Sequence, residues 1–448
     1  MASLASQYDD SFLQNALSAV GLPRGSWSDL FLERCTTSRM DWDPSGGVRV
    51  TSGVREGFAL RRVESGRQRI VSEEGLSHER IDKACRGDGS LDAAPADREP
   101  ADDSSATDAL PGGFLEDLGR DLASAVATDG CLSLRVEQLR RETGVALRAG
   151  SVRRNCITRV VLACRLDRSI GVFSTGLGAG SLEALLAKDP GRRFHRDLEE
   201  ALQDGREARD APEGEFPVVF APGTGGVFFH EACGHALEAD QVLRGTTPFR
   251  DLLGCRIAPE RVGAMDDSSQ PGLEGSYEWD DEGLACRGTV LIARGILKAF
   301  LADRITGEKL GRGSTANGRR ESFRDAPLPR MSNAFLMAGD EDPQEILRGT
   351  TKGIYVARLD GGRTDPGTGE FLFRASRGRL IEEGRLTLPL RPFTLSGSGP
   401  AALRSIECVG SDLSFGDGAG SCGKEGQRVP VAAGLPTVRL TALAVRPG

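Results

Sequence analysis

The sequence lacks long apolar runs, whereas a membrane-spanning helix needs about eighteen or more consecutive apolar residues. Its first residues also lack the basic region and apolar stretch of a secretory signal, so we expect no export by that route. Basic residues are not in excess either, because the formal net charge is −8 and the isoelectric point is about 5.4. General affinity for nucleic acid rests on basic surface, so the negative net charge argues against direct nucleic-acid binding.

Close cysteine pairs are also missing, since the ten cysteines are scattered along a chain of 448 residues. A chain of this length can form a full hydrophobic core and does not need disulfides for stability. The pattern therefore favours reduced thiols, and we expect a cytoplasmic protein with no membrane partner.

Histidine is scarce, but two of the four histidines lie in one motif, His230-Glu231-Ala232-Cys233-Gly234-His235. A catalytic zinc ion takes neutral imidazole ligands, and a neighbouring carboxylate can accept a proton from the attacking water. The motif therefore predicts a hydrolytic metal site with His230 and His235 as ligands and Glu231 as the catalytic base. The alternative is a buried helix whose histidines bond to the backbone.

The spacing of the two histidines requires a distorted helix. In the common zinc-peptidase motif the histidines are four residues apart, whereas here they are five apart. Five steps of about 100° would place His235 about 140° around an ideal helix from His230. We therefore predict a widened, π-type turn, which Gly234 would ease.

A phosphate-binding loop is a second alternative, because residues 217–220 predict a buried strand that runs into a glycine-rich turn at residues 223–226. The Walker pattern requires Gly-Lys-Ser/Thr after such a turn, and none follows. The turn more plausibly leads the chain into the metal helix, with Thr224 as a candidate N-cap.

The residue types alone do not decide which side chain is the third metal ligand. Cys233 would point away on a nearly regular helix, and Glu238 and Asp240 follow on the same helix as ligands or supporting groups. Cys408 lies in an apolar strand pattern that favours the core. Cys422 opens a glycine-flanked loop near a lysine, a setting that favours an accessible thiolate, so it ranks first.

Composition divides the chain into four predicted segments. Residues 1–87 and 113–210 mix helix and strand patterns and predict two α+β domains. Residues 88–112 are acidic and rich in alanine, serine and proline, which favours a disordered linker or loop. Residues 216–448 show strand patterns separated by turns. The predicted fold class is therefore α+β, with a mainly β C-terminal domain (a sheet or partial barrel) that carries the metal-binding helix.

Two local patterns make more detailed predictions. Residues 158–166 and 169–174 predict a hairpin that turns at residues 167–168. Residues 371–375 and 379–381 predict two separate strands of the C-terminal sheet.

The C-terminal motifs resemble the TldD/PmbA family on its catalytic, TldD-like side. The likeness is carried by residues 230–240, 275–277, 280–283, 317–322, 329–333 and 422–431, in family order. The N-terminal half matches more thinly, through Gly53-Val54-Arg55 and Gly57-Phe58-Ala59.

The resemblance implies a zinc metallopeptidase that acts on short or unfolded peptides. It implies one Zn²⁺ per chain held by His230, His235 and Cys422, with Glu231 as the catalytic base. It also implies a homodimer, or a heterodimer with a PmbA-like chain.

Three arginines, Arg319, Arg320 and Arg330, are candidates to bind a peptide carboxylate or carbonyl, with structural ion pairs as the alternative. Two other functions stay open at this point. One is a non-catalytic peptide-binding or regulatory protein with a structural zinc, and the other is a regulator that binds gyrase or DNA.

Overall fold

The computed structural model describes residues 3–87, 112–125, 130–168, 171–223, 225–365, 367–417 and 420–448. The N-terminal half is built on one antiparallel sheet with the strand order β3-β2-β1-β4-β5-β6. These strands are β1 (Trp27–Asp43), β2 (Gly47–Glu64), β3 (Arg67–Glu74), β4 (Cys131–Leu147), β5 (Ser151–Arg168) and β6 (Gly171–Ala179). The helices are α1 (Leu4–Gln7), α2 (Asp10–Ser18), α3 (His78–Arg86), α4 (Gly112–Ala125), α5 (Leu182–Leu186) and α6 (Pro190–Glu207).

The two faces of this sheet have different neighbours because side chains alternate along a strand. On β1, Leu30 and Leu32 pack in a core with helices α1 to α3, and Trp42 packs in a second core with α4 and α6. Phe31 points to the opposite face, where it clusters with Phe323 of the C-terminal half. One face of the sheet therefore carries the helices, and the other contacts the C-terminal half.

The predicted separation of residues 1–87 from 113–210 does not correspond to a break in this sheet. Strand β1 pairs with β4 over a long antiparallel register, from Asp29 opposite Leu147 to Trp42 opposite Leu134. Local patterns could not reveal this pairing, because it joins strands that are distant in sequence. The predicted acidic linker lies outside the described residues, apart from its last residue, Gly112, which begins α4.

The predicted hairpin in this half is confirmed, since β5 and β6 pair antiparallel from Val160 opposite Ala179 onwards. The predicted turn position at residues 167–168 is wrong, because Asp167 and Arg168 belong to β5 and pair with Val172 and Gly171 of β6. Residues 169–170 lie outside the described residues.

The C-terminal half is mainly β, as predicted. Its strands are β7 (Gly214–Phe220), β8 (Ala264–Asp267), β9 (Gly288–Ala293), β10 (Ile296–Leu297), β11 (Gly318–Arg319), β12 (Leu328–Pro329), β13 (Asn333–Leu336), β14 (Lys352–Thr364), β15 (Glu370–Glu382), β16 (Arg385–Leu390), β17 (Phe393–Ser398), β18 (Ile406–Val409), β19 (Ser414–Phe415), β20 (Ser421–Lys424), β21 (Gln427–Pro430), β22 (Ala432–Leu435) and β23 (Val438–Pro447). Its α-helices are α7 (Gly226–Phe229), α8 (Ala239–Arg244), α9 (Arg304–Lys309), α10 (Pro343–Arg348) and α11 (Gly399–Arg404).

Five of these strands form a closed barrel, because β14, β7, β23, β17 and β15 pair in that order and β15 pairs back with β14. Phe220, Phe228, Phe371 and Phe373 lie in its hydrophobic core. The prediction of two strands at 371–375 and 379–381 is wrong, since both belong to β15. The gap between the two predicted strands corresponds to register shifts in the pairing of β15 with β14. These shifts let one long strand bend around the barrel.

Two further expectations from the sequence concern the cysteines and membrane-spanning helices. All ten cysteines are free in the structure. Among the described residues, no helix combines the length and apolar character needed to cross a bilayer.

Candidate metal centre

The segment that carries the histidine motif starts at the end of a buried barrel strand. Strand β7 pairs in parallel with β14 and leads through a glycine-rich turn into the short helix α7. A Cβ atom at Gly226 would lie 2.5 Å from the carbonyl carbon of Ala433, so only glycine fits there. The N-cap of α7 is Gly225, which makes no side-chain cap, and the predicted N-cap Thr224 lies outside the described residues.

The predicted widened turn is confirmed, because residues His230–Gly234 form a π-helical turn directly after α7. The two imidazole rings are 5.1 Å apart between centroids. Gly234 is required by packing, since a Cβ atom there would overlap Sδ of Met331, whereas its backbone is ordinary right-handed helix (φ −56°, ψ −52°). The extra residue in the turn therefore lets two histidines five residues apart face one point.

A cysteine from the far end of the sequence completes the cluster. One ring nitrogen of His230, one ring nitrogen of His235 and Sγ of Cys422 all lie within 4.8 Å of one another. Cys422 lies on the hairpin formed by β20 and β21, and its Sγ is 3.2 Å from Nε2 of His235. His230 is 4% exposed, Cys422 is 2% exposed and the side chain of His235 is 12% exposed, so the cluster is largely shielded from solvent.

The donor set fits a zinc ion. Two imidazoles and one thiolate are ligands that zinc prefers, and three protein ligands leave a fourth position open for water. Nδ1 of the buried His230 has no hydrogen-bond partner among the described residues. A buried polar atom without a partner is costly, and a bound ion or water is the usual explanation for one.

The local electrostatics favour a thiolate at Cys422. Burial raises the pKa of this thiol, but the nearby His230 and His235 outweigh burial and hold the pKa well below its usual value. Burial also opposes charge on His235, but Glu238 and Cys422 raise its pKa. The two neighbouring imidazoles thus favour the anionic form of the sulfur, which is the form that binds a metal.

Glu238 orients the second histidine. Its Oε2 lies 3.1 Å from Nδ1 of His235, which leaves Nε2 directed at the cluster. A carboxylate on the far nitrogen of a metal-binding histidine is a common supporting contact. The prediction that Glu238 and Asp240 follow on the same helix as the histidines is wrong, since Asp240 lies in the separate helix α8. The backbone of Glu238 is extended (φ −80°, ψ 134°), because the chain forms a 3₁₀ turn at His235–Leu237 and restarts as α8 at Ala239.

Lys424 links this carboxylate to the cysteine hairpin. Its Nζ donates to Glu238 at 2.9 Å, to Asp240 at 2.7 Å and to the carbonyl of Pro329 at 2.9 Å. Burial raises the pKa of Glu238, but Lys424 and His235 outweigh burial and lower the pKa to about 2. Burial raises the pKa of Asp240 despite the neighbouring Lys424. Glu238 and Asp240 are therefore supporting groups beside the cluster, and neither is one of its three candidate ligands.

Two of the predicted arginines contact the backbone next to Cys422. Arg330 is fully buried and donates to the carbonyl of Cys422 at 2.6 Å. Arg319 donates to the carbonyls of Met331 at 2.7 Å and Pro430 at 2.8 Å. These bonds fix both strands of the hairpin relative to the rest of the half.

Arg320 has a different environment. It is fully buried, its guanidinium stacks 4.2 Å from the ring of Phe31, and its nearest carboxylate, Asp29, is 3.9 Å away. Burial and the nearby Arg61 lower its pKa to about 10. Arg320 therefore lies at the contact between the two halves.

The other cysteine candidates lie elsewhere. Cys233 is fully buried, and its Sγ is 3.9 Å from the carbonyl oxygen of Gly399. Cys408 packs with Val219, Ile346 and Ile381 in a small core cluster. Burial raises the pKa of both thiols, to about 11 in Cys408, so both remain protonated.

Glu231 lies at a cavity beside the metal centre. Together with His230 it lines a cavity of about 430 Å³. Ser174 and Gly176 of β6 and Arg358 of β14 form other parts of its wall. The N-terminal sheet therefore closes one side of the site. Sequence reasoning missed these wall residues, because no local signal marks strands that approach the site from distant parts of the chain.

Comparison with known proteins identifies the C-terminal half. Residues 213–446 match the PmbA/TldA metallopeptidase C-terminal domain. The chain is 39% identical over 238 residues to a metalloprotease TldD homolog of Buchnera aphidicola, covering 53% of this chain and 49% of that protein. It is 36% identical over 233 residues to a zinc metalloprotease TldD homolog of Saccharolobus solfataricus, covering 52% of each. The chain thus spans about half the length of these two relatives.

Other matches extend into the N-terminal half. A metalloprotease of Methanothermobacter thermautotrophicus is 34% identical over 409 residues, covering 87% of this chain and 89% of that protein. A solved Thermotoga maritima chain, described as a proposed modulator of a DNA gyrase, has a TM-score of 0.73 at 18% identity, covering 98% and 100%. TldE from Thermococcus kodakarensis has a TM-score of 0.66 at 17% identity, covering 97% and 99%. At these low identities the structures establish the fold alone.

Proposed function

The chain belongs to the TldD/PmbA family, and we propose that it is a zinc-dependent peptidase that hydrolyses peptide bonds of short or unfolded polypeptides. One observation carries the proposal: the His230, His235 and Cys422 cluster lies beside Glu231 at the wall of a cavity. The similarity to proteins named as metalloproteases supports the same reaction class.

In this proposal the chain's own residues divide the work. His230, His235 and the Cys422 thiolate hold one Zn²⁺ per chain, which when bound acidifies water and polarises the scissile carbonyl. Glu231 accepts the proton of the attacking water and returns it to the leaving amine. Glu238 fixes the orientation of the His235 ring. Strand β6 forms part of the wall of the cavity that the peptide would enter.

A partner chain is part of the proposal. Membership of the family supports a dimer, either a homodimer or a heterodimer with a PmbA-like chain. The ten free cysteines support work in a reducing compartment such as the cytoplasm. A non-catalytic protein with a structural zinc is the competing function, and the open wall at Glu231 argues against it.

The variant Glu231→Gln separates the two functions. It keeps the size of the side chain and removes the base, so we expect full zinc content and a loss of peptide cleavage of at least about a hundredfold. Metal analysis and a peptide cleavage assay on the same preparation measure both. Cleavage at the parent rate would exclude Glu231 as the base.

A further inference from the structure

A second and larger cavity, of about 900 Å³, lies between the N-terminal sheet and the C-terminal half. Six arginines and three glutamates are among its lining residues: Arg55, Arg141, Arg159, Arg320, Arg324, Arg428, Glu74, Glu137 and Glu321. The charged lining is therefore net positive by three, in a chain whose formal net charge is −8. Such a local excess of positive charge against the overall sign favours an anionic ligand.

Three of these arginines have unused hydrogen-bonding capacity. Nε of Arg55 is buried without a partner, and its nearest carboxylate, Glu33, is 3.9 Å away and already bound by Arg141. Nε of Arg159 is also buried without a partner. Its Nη2 donates to the carbonyl of Gly420 at 3.0 Å. Arg428 is exposed at the rim of the cavity, and no ion pair to its guanidinium is found among the described residues.

The other three arginines are already engaged. Arg141 pairs with Glu33 at 2.5 Å and Asp281 at 3.2 Å, and Arg324 pairs with Glu74 at 3.3 Å. Arg320 is fully buried at the contact between the halves. Arg55, Arg159 and Arg428 are therefore the groups that a ligand would satisfy.

This cavity is next to the metal centre. Ser421, the residue before Cys422, lines both this cavity and the smaller one at Glu231. Val429 and Pro430, from the opposite strand of the same hairpin, also line the larger cavity. A chain lying across the hairpin at Ser421 would therefore have one part at the metal centre and another among the arginines.

We propose that this arginine cavity binds a carboxylate of the peptide substrate through Arg55, Arg159 and Arg428. The inference rests on the proposed peptidase function and adds a substrate class to it. Guanidinium groups bind carboxylates through paired, charge-assisted hydrogen bonds, and the cavity volume is within the range of about 300–1,000 Å³ typical of ligand sites. The carboxylate comes either from the C-terminus of the peptide or from an aspartate or glutamate side chain.

Binding and cleavage are tested separately with three fluorescent hexapeptides of otherwise equal sequence. The first has a free C-terminal carboxylate, the second has an amidated C-terminus and one glutamate, and the third has an amidated C-terminus with glutamine in place of the glutamate. Fluorescence anisotropy measures their binding to the zinc-loaded full chain carrying Glu231→Gln. We expect at least one acidic peptide to bind about tenfold more tightly than the neutral one.

Arginine variants locate the effect. Arg55→Gln and Arg428→Gln, each added to Glu231→Gln, should reduce the preference for the acidic peptide to less than about threefold. Arg385→Gln, an exposed arginine on β16 outside the cavity lining, is the matched control and should keep the preference. Zinc content and thermal unfolding of each variant show whether the fold and the metal site are intact.

Each result decides between the proposals. Preference for the free C-terminus or for the glutamate peptide identifies the source of the carboxylate. Equal binding of all three peptides, or no binding of any, overturns the arginine cavity as a carboxylate site. Cleavage of the same peptides by the parent chain is measured independently. Selective binding of acidic peptides without cleavage would reject the peptidase function alone. Cleavage without any preference for binding acidic peptides would reject the carboxylate site alone.

Discussion

Lys424 donates to Glu238 at 2.9 Å across 186 residues of sequence, and the same carboxylate oxygen lies 3.1 Å from Nδ1 of His235. One oxygen atom thus connects a metal-site histidine to the hairpin that carries Cys422. Both charged groups are buried, with side-chain exposures of 7% for Lys424 and 0% for Glu238. The pair therefore fixes the distance between the helical and hairpin parts of the metal centre.

Lys424→Met should weaken metal binding. The variant leaves Glu238 and Asp240 without their shared cation and frees the hairpin to move away from His235. Loss of such a supporting contact typically costs about 10- to 100-fold in metal affinity. Competition with a chromogenic zinc chelator measures the change. The exposed Lys352→Met is the control and should bind zinc like the parent, and equal affinity in both variants would refute the positioning role.

Gly234→Ala should destabilise the fold and disturb the metal site. The new methyl group would overlap Sδ of Met331, and overpacking of this kind costs about 1–3 kcal/mol. Urea unfolding measures the loss, and Gly21→Ala is the control because an added Cβ there meets no atom within 4 Å. Combining Gly234→Ala with Met331→Ala should relieve the overlap, so the two effects should not add. Additive losses would show that the strain has another cause.

Asp303 should make stability depend on pH. Burial, with the nearby Glu282, raises the pKa of this carboxyl to about 6, above its ordinary value of 3.8. The folded state therefore binds the proton more tightly than the unfolded state, and the free energy of unfolding should fall as pH rises through this window. The contribution is at most about 3 kcal/mol and is complete above the folded-state pKa.

The variant Asp303→Asn isolates that contribution. Asp303 caps α9 by accepting from the backbone of Thr306 at 2.7 Å, and asparagine can also cap a helix. Urea unfolding between about pH 4 and 7 should show a smaller decline with rising pH in the variant than in the parent. The exposed cap variant Asp342→Asn should leave the parent's profile unchanged. Parallel profiles for Asp303→Asn and the parent would contradict the assigned titration.

The sequence predicts the part of the site that is local. Spacing alone indicates the π turn between His230 and His235, because two rings must reach one ion from positions five apart. The glycine-flanked setting of Cys422 indicates a thiolate, but its approach to His235 depends on a contact across 187 residues. The pairing of Lys424 with Glu238 has the same long-range origin.

The sequence predicts less of the larger architecture. The pairing of β1 with β4 and the closure of the barrel by β14 and β15 depend on contacts between distant segments, which local periodicity does not encode. The fully buried Arg61 shows the same limit. It binds Asp29 of its own sheet at 2.5 Å and Glu282 of the C-terminal half at 2.7 Å, so an arginine that composition would place on the surface joins the two halves.

The most direct test of the metal centre is the zinc content per chain of the parent and of Cys422→Ala, measured by elemental analysis after dialysis. Cys408→Ala, a buried cysteine outside the cluster, is the matched control. We predict about one zinc in the parent and in Cys408→Ala, and far less in Cys422→Ala. Full zinc retention in Cys422→Ala would contradict the His230, His235 and Cys422 centre on which the proposed chemistry depends.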